Sequence, residues 1–178
     1  MGYTASFWAT RPGDVLGALA VAHPEPPSVP LTEATRANWA ELGRVVADLL
    51  RRGGGRLVAE YAEYVAGVIH AVGFHYGSLD HTSSGGEEFR RRFLAGPAAA
   101  RYGREAVADL FARDLGGLLW EEYPRLGHVT APEVGAVAAR LGGPPQSDHP
   151  EDIGPLLVLD GAFGRAARFG LELHTVYG

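Results

Sequence analysis

The chain contains no cysteine and no lysine, and these two absences exclude several kinds of chemistry. Without cysteine there can be no disulfide, no thiolate nucleophile, no iron–sulfur cluster and no cysteine-ligated zinc site. Because all 16 basic residues are arginine, Schiff-base lysines, pyridoxal-phosphate attachment and Walker-type phosphate lysines are excluded as well. Only two isoleucines and one asparagine occur beside 25 glycines, a composition typical of a GC-rich bacterial genome.

The chain also lacks a net positive charge and long apolar runs. Its formal net charge is −5, opposite to the basic field that nucleic-acid binding needs, so no nucleic-acid partner is expected. No apolar run reaches the roughly 20 residues of a membrane span, and the first residues lack a basic region followed by an apolar core. We therefore expect a cytoplasmic protein without membrane association, folded as one globular domain over residues 1–178.

Hydrophobic periodicity predicts a mainly helical α+β fold, with about six to seven helices and a small antiparallel sheet. Apolar and polar residues alternate over residues 3–10, which predicts an N-terminal strand of that sheet. Residues 57–72 show the most regular amphipathic helical pattern. Two capping boxes, Ser84 with Glu87 and Thr130 with Glu133, predict further helix starts. The other predicted elements are a long helix from Thr32, helices near 98–113, 150–159 and 163–175, and strands near Phe74 and over 118–123.

Residues 73–86 carry the densest set of functional groups in the sequence. The helical period breaks there, so we expect a short extended piece that leads into a loop. Loops held by a rigid scaffold are where binding and catalytic side chains are usually presented. The candidate ligand-binding residues, in this segment and on the helix before it, are His70, His75, Tyr76, Ser78, Ser83 and Ser84.

His81 is the candidate general base, with Asp80 or Glu63 as the assisting carboxylate. A triad with a nearby serine is disfavoured, because adjacent residues on an extended chain point to opposite faces and Asp80 could not orient His81. The alternative interpretation is structural: polar side chains of the loop would cap the following helix and satisfy its backbone.

Nitrogen and oxygen ligands for zinc, iron or manganese could come from His70, His75 and His81, joined by Asp80 or Glu63. No HExxH, HxxxH or HxH pair presents two imidazoles at a chelating spacing. We therefore expect no bound metal and no cofactor at these residues. His174, placed in the last predicted helix, is expected to be a packing histidine.

Several short segments carry a resemblance to known sequences: LDHTSSGGEEF at residues 79–89, Tyr123-Pro124, LDGAF at 159–163 and FGLEL at 169–173. Through them the chain resembles an uncharacterised family of small actinobacterial proteins of unknown function. The resemblance implies a cytoplasmic bacterial protein, and the family has no activity that could be transferred to these residues.

Two function classes remain open from the sequence. The first is a small bacterial binding or interaction protein, of the accessory, regulatory or immunity type, with a protein partner or a small-molecule ligand. The second is a small cofactor-free acid/base enzyme, a hydrolase or a cyclase or isomerase of secondary metabolism, that uses His81. An apolar cavity reached by His75, Asp80 or His81 would favour the enzyme, and a filled core with an exposed apolar patch would favour the binding protein. The oligomeric state is not predicted.

Overall fold

The computed structural model describes residues 2–23, 25–82, 89–120 and 123–178, so Ser83, Ser84 and the predicted capping box at Ser84 lie outside the described residues. In chain order the elements are β1 (Gly2–Thr10), α1 (Asp14–Ala20), α2 (Glu33–Ala37), α3 (Trp39–Arg51), β2 (Gly55–Leu57), α4 (Ala59–Val72), β3 (Phe74–Thr82), α5 (Phe89–Ala98), α6 (Ala99–Tyr102), α7 (Arg104–Ala112), β4 (Leu118–Trp120), β5 (Arg125–Val129), α8 (Ala131–Ala138), α9 (Ile153–Arg168) and β6 (Glu172–Tyr177). The element α5 has wider turns than an α-helix and is kinked at Gly96.

The main sheet has four strands in the order β3-β1-β6-β5, and each neighbouring pair is antiparallel. The two central strands, β1 and β6, are neighbours in the sheet although they are far apart in the sequence. The pairing of β1 with β3 shifts register between Phe7 and Trp8, which leaves Tyr76 as an extra residue in a β-bulge. A separate two-stranded parallel sheet joins β2 and β4.

Both faces of the main sheet are covered. Because side chains alternate along a strand, Ala5 and Phe7 point to one face and Trp8 to the other. We name the first the α9 face, which packs against α5 to α9, and the second the α4 face, which packs against α1, α3 and α4. Each face has its own hydrophobic core. The register position of a residue on the sheet therefore determines which of the two cores its side chain faces.

The mixed α+β class and the antiparallel sheet that contains β1 are confirmed. The predicted helix over 57–72 is confirmed as α4, and Val65 and Tyr64 on it are fully buried. The capping box of α8 is also confirmed, since the Thr130 backbone N–H donates to Glu133 Oε2 at 2.9 Å. The count of six to seven helices is wrong, because the described residues contain eight α-helices besides α5.

The C-terminal prediction is wrong in an informative way. Instead of helices at 150–159 and 163–175, one helix, α9, ends at Arg168 and the strand β6 follows. Gly170, with φ of 64°, ends the helix: its N–H bonds to the carbonyl of Ala167, and the N–H of Leu171 bonds to that of Ala166. This paired closure is the Schellman motif. Pairing with β1 and β5 then holds β6 extended.

Four other boundaries also need correction. The predicted strand near Phe74 is present as β3, but it is longer than the short extended piece expected, because it pairs with β1 as far as Thr82. The helix at 98–113 is interrupted at Gly103, and the helix from Thr32 is interrupted at Asn38. The strand predicted over 118–123 is β4, which pairs with β2 in the separate sheet. In the described part of the chain, no helix is both long enough and apolar enough to cross a bilayer.

Candidate functional site

His81 lies near the end of β3, in a cluster of aromatic rings on the α9 face. Its ring is stacked against Phe89 with centroids 4.8 Å apart and against Tyr3, its neighbour on β1, at 5.7 Å. His81 Nε2 and the hydroxyl of Tyr177 are separated by 2.6 Å. Tyr123 packs edge-on against Tyr177 at 5.4 Å. The structure therefore gives His81 a phenol as hydrogen-bond partner.

Tyr177 keeps its proton at neutral pH. Burial raises the pKa of its hydroxyl, and the neighbouring Tyr123 raises it further. The positive charge of Arg90 acts in the opposite direction, and the resulting pKa is about 12. A protonated phenol beside an imidazole donates its hydrogen to Nε2 when that nitrogen carries none. The pair thus combines a proton donor with a proton acceptor.

A cavity of about 470 Å³ adjoins this pair, because Tyr177 is part of its wall. The cavity lies between α5, α7 and the ends of β5 and β6. Among the described residues most of the lining is apolar, and the polar side chains in it belong to three arginines and Tyr177. The apolar lining residues are Leu94, Ala95, Ala99, Val107, Ala108, Phe111 and Ala112. Such a space suits the hydrocarbon part of a small molecule.

Three arginines, Arg90, Arg104 and Arg125, border the cavity. None of them forms an ion pair with a carboxylate among the described residues. The Arg125 guanidinium lies 5.4 Å from the ring centre of Tyr123, and its buried Nε atom has no hydrogen-bond partner in that part of the chain. By contrast, Arg101 is held by Asp160 at 2.6 Å. Within the described ranges, the cavity therefore has three guanidinium groups without a carboxylate ion pair beside its apolar wall.

The carboxylates proposed to assist His81 are hydrogen-bonded elsewhere. Asp80 accepts a hydrogen bond of 2.6 Å from Thr4 Oγ1, on the opposite face of the sheet from His81. Glu63 accepts hydrogen bonds from the Thr32 backbone N–H at 2.6 Å and from Thr35 Oγ1 at 2.5 Å, at the N-terminus of α2. Their catalytic roles stay predictions.

Three of the predicted ligand-binding residues meet around Trp8 on the α4 face. The rings of His70 and His75 lie 4.4 Å and 5.0 Å from that of Trp8. Ser78 Oγ lies 2.9 Å from His75 Nε2 and 3.1 Å from Ser6 Oγ. Burial lowers the pKa of His70, and the nearby His75 lowers it further. This group is separated from His81 by the sheet.

Tyr76, the bulged residue of β3, contacts α9 instead. The guanidinium of Arg165 lies 4.8 Å from the centre of its ring and donates a hydrogen bond to its backbone oxygen. Tyr177 and the arginines of the cavity come from four separate elements, so no local pattern in the sequence marks them as a site. His128 and Glu172, which lie beside His174 on the α4 face, were not among the predicted site residues either. The one available signal was the spacing of Glu172 and His174, which share a face if the segment is a strand.

Known proteins do not identify this site. No protein-family model, curated protein or solved structure matches the chain. The function is therefore inferred from the cavity, its charges and the hydrogen bonds of the described residues.

Proposed function

We propose that the chain is a bacterial cytoplasmic binding protein for a small apolar molecule that carries a carboxylate or a similar anionic group. The observation that carries this proposal is the 470 Å³ cavity, whose apolar wall is bordered by Arg90, Arg104 and Arg125. Cavities of about 300–1,000 Å³ with few polar groups are typical of small-molecule sites. Of the two kinds of partner expected from the sequence, a protein or a small-molecule ligand, the cavity supports the small molecule.

The two parts of the cavity would bind different parts of the ligand. Contact with the apolar wall makes the free energy of binding more favourable by about 25 cal/mol for each Å² of apolar ligand surface removed from water. A guanidinium binds a carboxylate through two parallel N–H···O bonds, and the Nε atom of Arg125 has no hydrogen-bond partner among the described residues. The net charge of −5 gives the protein no general attraction for anions. Affinity for the anionic group must therefore come from these three side chains.

Octanoate is the probe that tests this function, with 1-octanol and octylamine as matched compounds. Isothermal titration should show binding of octanoate, weaker binding of the alcohol and none of the amine. Arg125→Met keeps an unbranched apolar stem but removes the guanidinium, so it should weaken octanoate binding at least tenfold. Arg168→Met, at the exposed C-terminal end of α9, is the control and should leave binding unchanged. Equal affinity for octanoate and 1-octanol, unchanged by Arg125→Met, would contradict the proposal.

The second candidate function is acid/base catalysis, and the 2.6 Å contact of His81 with Tyr177 favours it. As a water molecule in the cavity attacks a substrate, its proton would pass to the Tyr177 oxygen while the Tyr177 hydrogen passes to His81 Nε2, so His81 would act as the base through the phenol. In this proposal the phenol, rather than Asp80 or Glu63, is the group that contacts the base.

Hydrolysis of 4-nitrophenyl octanoate separates the two candidates. If His81 is a general base, His81→Ala should lower the rate of hydrolysis by about 10²–10⁴-fold, the usual contribution of such a group. Octanoate affinity and the melting temperature should change little, because His81 is only half-buried. If the wild type hydrolyses the ester no faster than His81→Ala does, catalysis is contradicted and binding remains the proposed function of the cavity.

A further inference from the structure

A second cluster of polar side chains lies on the α4 face, where β5 and β6 pair. His128 and His174 are direct neighbours across the two strands, and Glu172 precedes His174 by two residues, so all three point to the same face. The two imidazole rings are stacked, with centroids 4.8 Å apart and planes inclined by 13°. Sheet register therefore brings two nitrogen ligands and one oxygen ligand together.

The ligand atoms converge closely. The distance from Glu172 Oε2 to His128 Nε2 is 3.4 Å, and that to His174 Nε2 is 3.7 Å. All three ligand atoms lie within 4.8 Å of one another. A zinc ion bonds to histidine nitrogen and carboxylate oxygen at about 2.0–2.2 Å, so two ligands of a tetrahedral site are about 3.4 Å apart. One ion fits among these atoms with only small side-chain movements.

Burial makes the cluster costly without an ion. Only 12% of the His128 side chain, 14% of the Glu172 side chain and 1% of the His174 side chain are exposed. His128 Nε2 is buried, and the Glu172 oxygen 3.4 Å away does not meet it in good hydrogen-bonding geometry. A buried polar atom without a partner costs about 1–3 kcal/mol. A cation between the imidazole and the carboxylate would remove this cost.

Two further groups surround the cluster. Thr10 Oγ1 lies 3.0 Å from His174 Nε2, and the Gly13 N–H donates to Glu172 Oε2 at 3.4 Å. The N–H group helps to orient the carboxylate, as the outer partners of metal ligands commonly do. An ion bound to His174 Nε2 would take the place of the contact with the threonine hydroxyl.

We propose that His128, Glu172 and His174 bind one divalent first-row transition-metal ion, with zinc as the best match to the donor set. Imidazole nitrogens disfavour magnesium and calcium, which take oxygen ligands. The site lies on the α4 face and the cavity on the α9 face, so the metal site is independent of the proposed ligand. It differs from the histidine set weighed from sequence, His70, His75 and His81, and from the expectation of no metal.

Calorimetry with zinc chloride tests the proposal on tag-free protein that has been treated with chelator and dialysed. The wild type should bind one equivalent of zinc, and its melting temperature should rise with zinc concentration. Glu172→Gln and His128→Gln should each weaken binding by more than the roughly 10–100-fold that loss of an outer-shell partner costs. Two controls, His149→Gln at an exposed position and His75→Gln beside Trp8, should bind zinc like the wild type.

The opposite results would overturn the site. One is the absence of stoichiometric zinc binding by the wild type. Another is binding that survives Glu172→Gln but is lost in His75→Gln. Circular dichroism of the metal-free variants checks that they fold. If they do not, zinc-edge X-ray absorption of the loaded wild type decides: scattering from two imidazole rings supports the site, and a shell of water oxygens alone overturns it.

Discussion

Replacement of Gly127 by alanine is expected to destabilise the fold by about 3 kcal/mol or more, because the added methyl group has no space. A Cβ atom at this position would lie 2.0 Å from the backbone oxygen of Leu110 and 2.3 Å from its carbonyl carbon. These are backbone atoms of α7, so no side-chain rotation can relieve the contact. The whole helix would have to move away from β5.

Urea denaturation followed by circular dichroism measures the effect. The matched control is Gly135→Ala in α8, where nothing lies within 4 Å of the added Cβ. Because alanine favours a helix over glycine, the control should be more stable than the wild type by about 0.5–1 kcal/mol. Movement of α7 also shifts the cavity wall, so Gly127→Ala should bind octanoate more weakly. Equal stability of the two variants would mean that α7 does not pack on β5 as described.

Val65→Asp is expected to abolish the cooperative fold at 37 °C. Val65 is fully buried on α4, in the core of the α4 face. A carboxylate placed there has no partner, and an unpaired buried charge costs several kcal/mol. That cost is comparable with the whole stability of a domain, about 5–15 kcal/mol.

The control is the same substitution at the start of the same helix. Val58 is the N-cap of α4; it is 56% exposed, and no side-chain hydrogen bond caps the helix there. An aspartate at an N-cap accepts a hydrogen bond from the first turn, so Val58→Asp should stabilise the protein by about 0.5–2 kcal/mol. Thermal melting compares the two variants with the wild type. Similar melting temperatures for both would place Val65 outside the core.

Elements fixed by local signals were predicted from the sequence. The helix α4 and the capped start of α8 depend on periodicity and on one side chain bonding to nearby backbone, and both are present. The strand β1 alternates from Tyr3 to Thr10, with Trp8 as the one apolar residue in the otherwise polar set. By contrast, Thr175, Val176 and Tyr177 of β6 favour a strand, but this short run follows α9 closely, and pairing with β1 and β5 is what holds the whole segment extended. Local periodicity could not reveal such long-range pairing.

The error in β6 also concealed the cluster of Glu172 and His174. On a helix, residues two apart point about 200° apart, so these two would not share a ligand. On a strand they share a face, and His128 joins them through the register. For the cavity, His81 was recognised as a candidate base, but its partner Tyr177 is 96 residues away. Sequence spacing therefore could not identify that pair.

The position of β6 has a consequence for the order in which the protein assembles during synthesis. Of the described strands, β6 is made last, yet it lies between β1 and β5. Until it leaves the ribosome, β1 has only β3 as a neighbour in the main sheet. Tyr177 of the cavity and two of the proposed metal ligands, Glu172 and His174, all belong to this strand. A growing chain therefore completes the sheet and both sites only when β6 pairs with β1 and β5, and neither site has all its residues before that step.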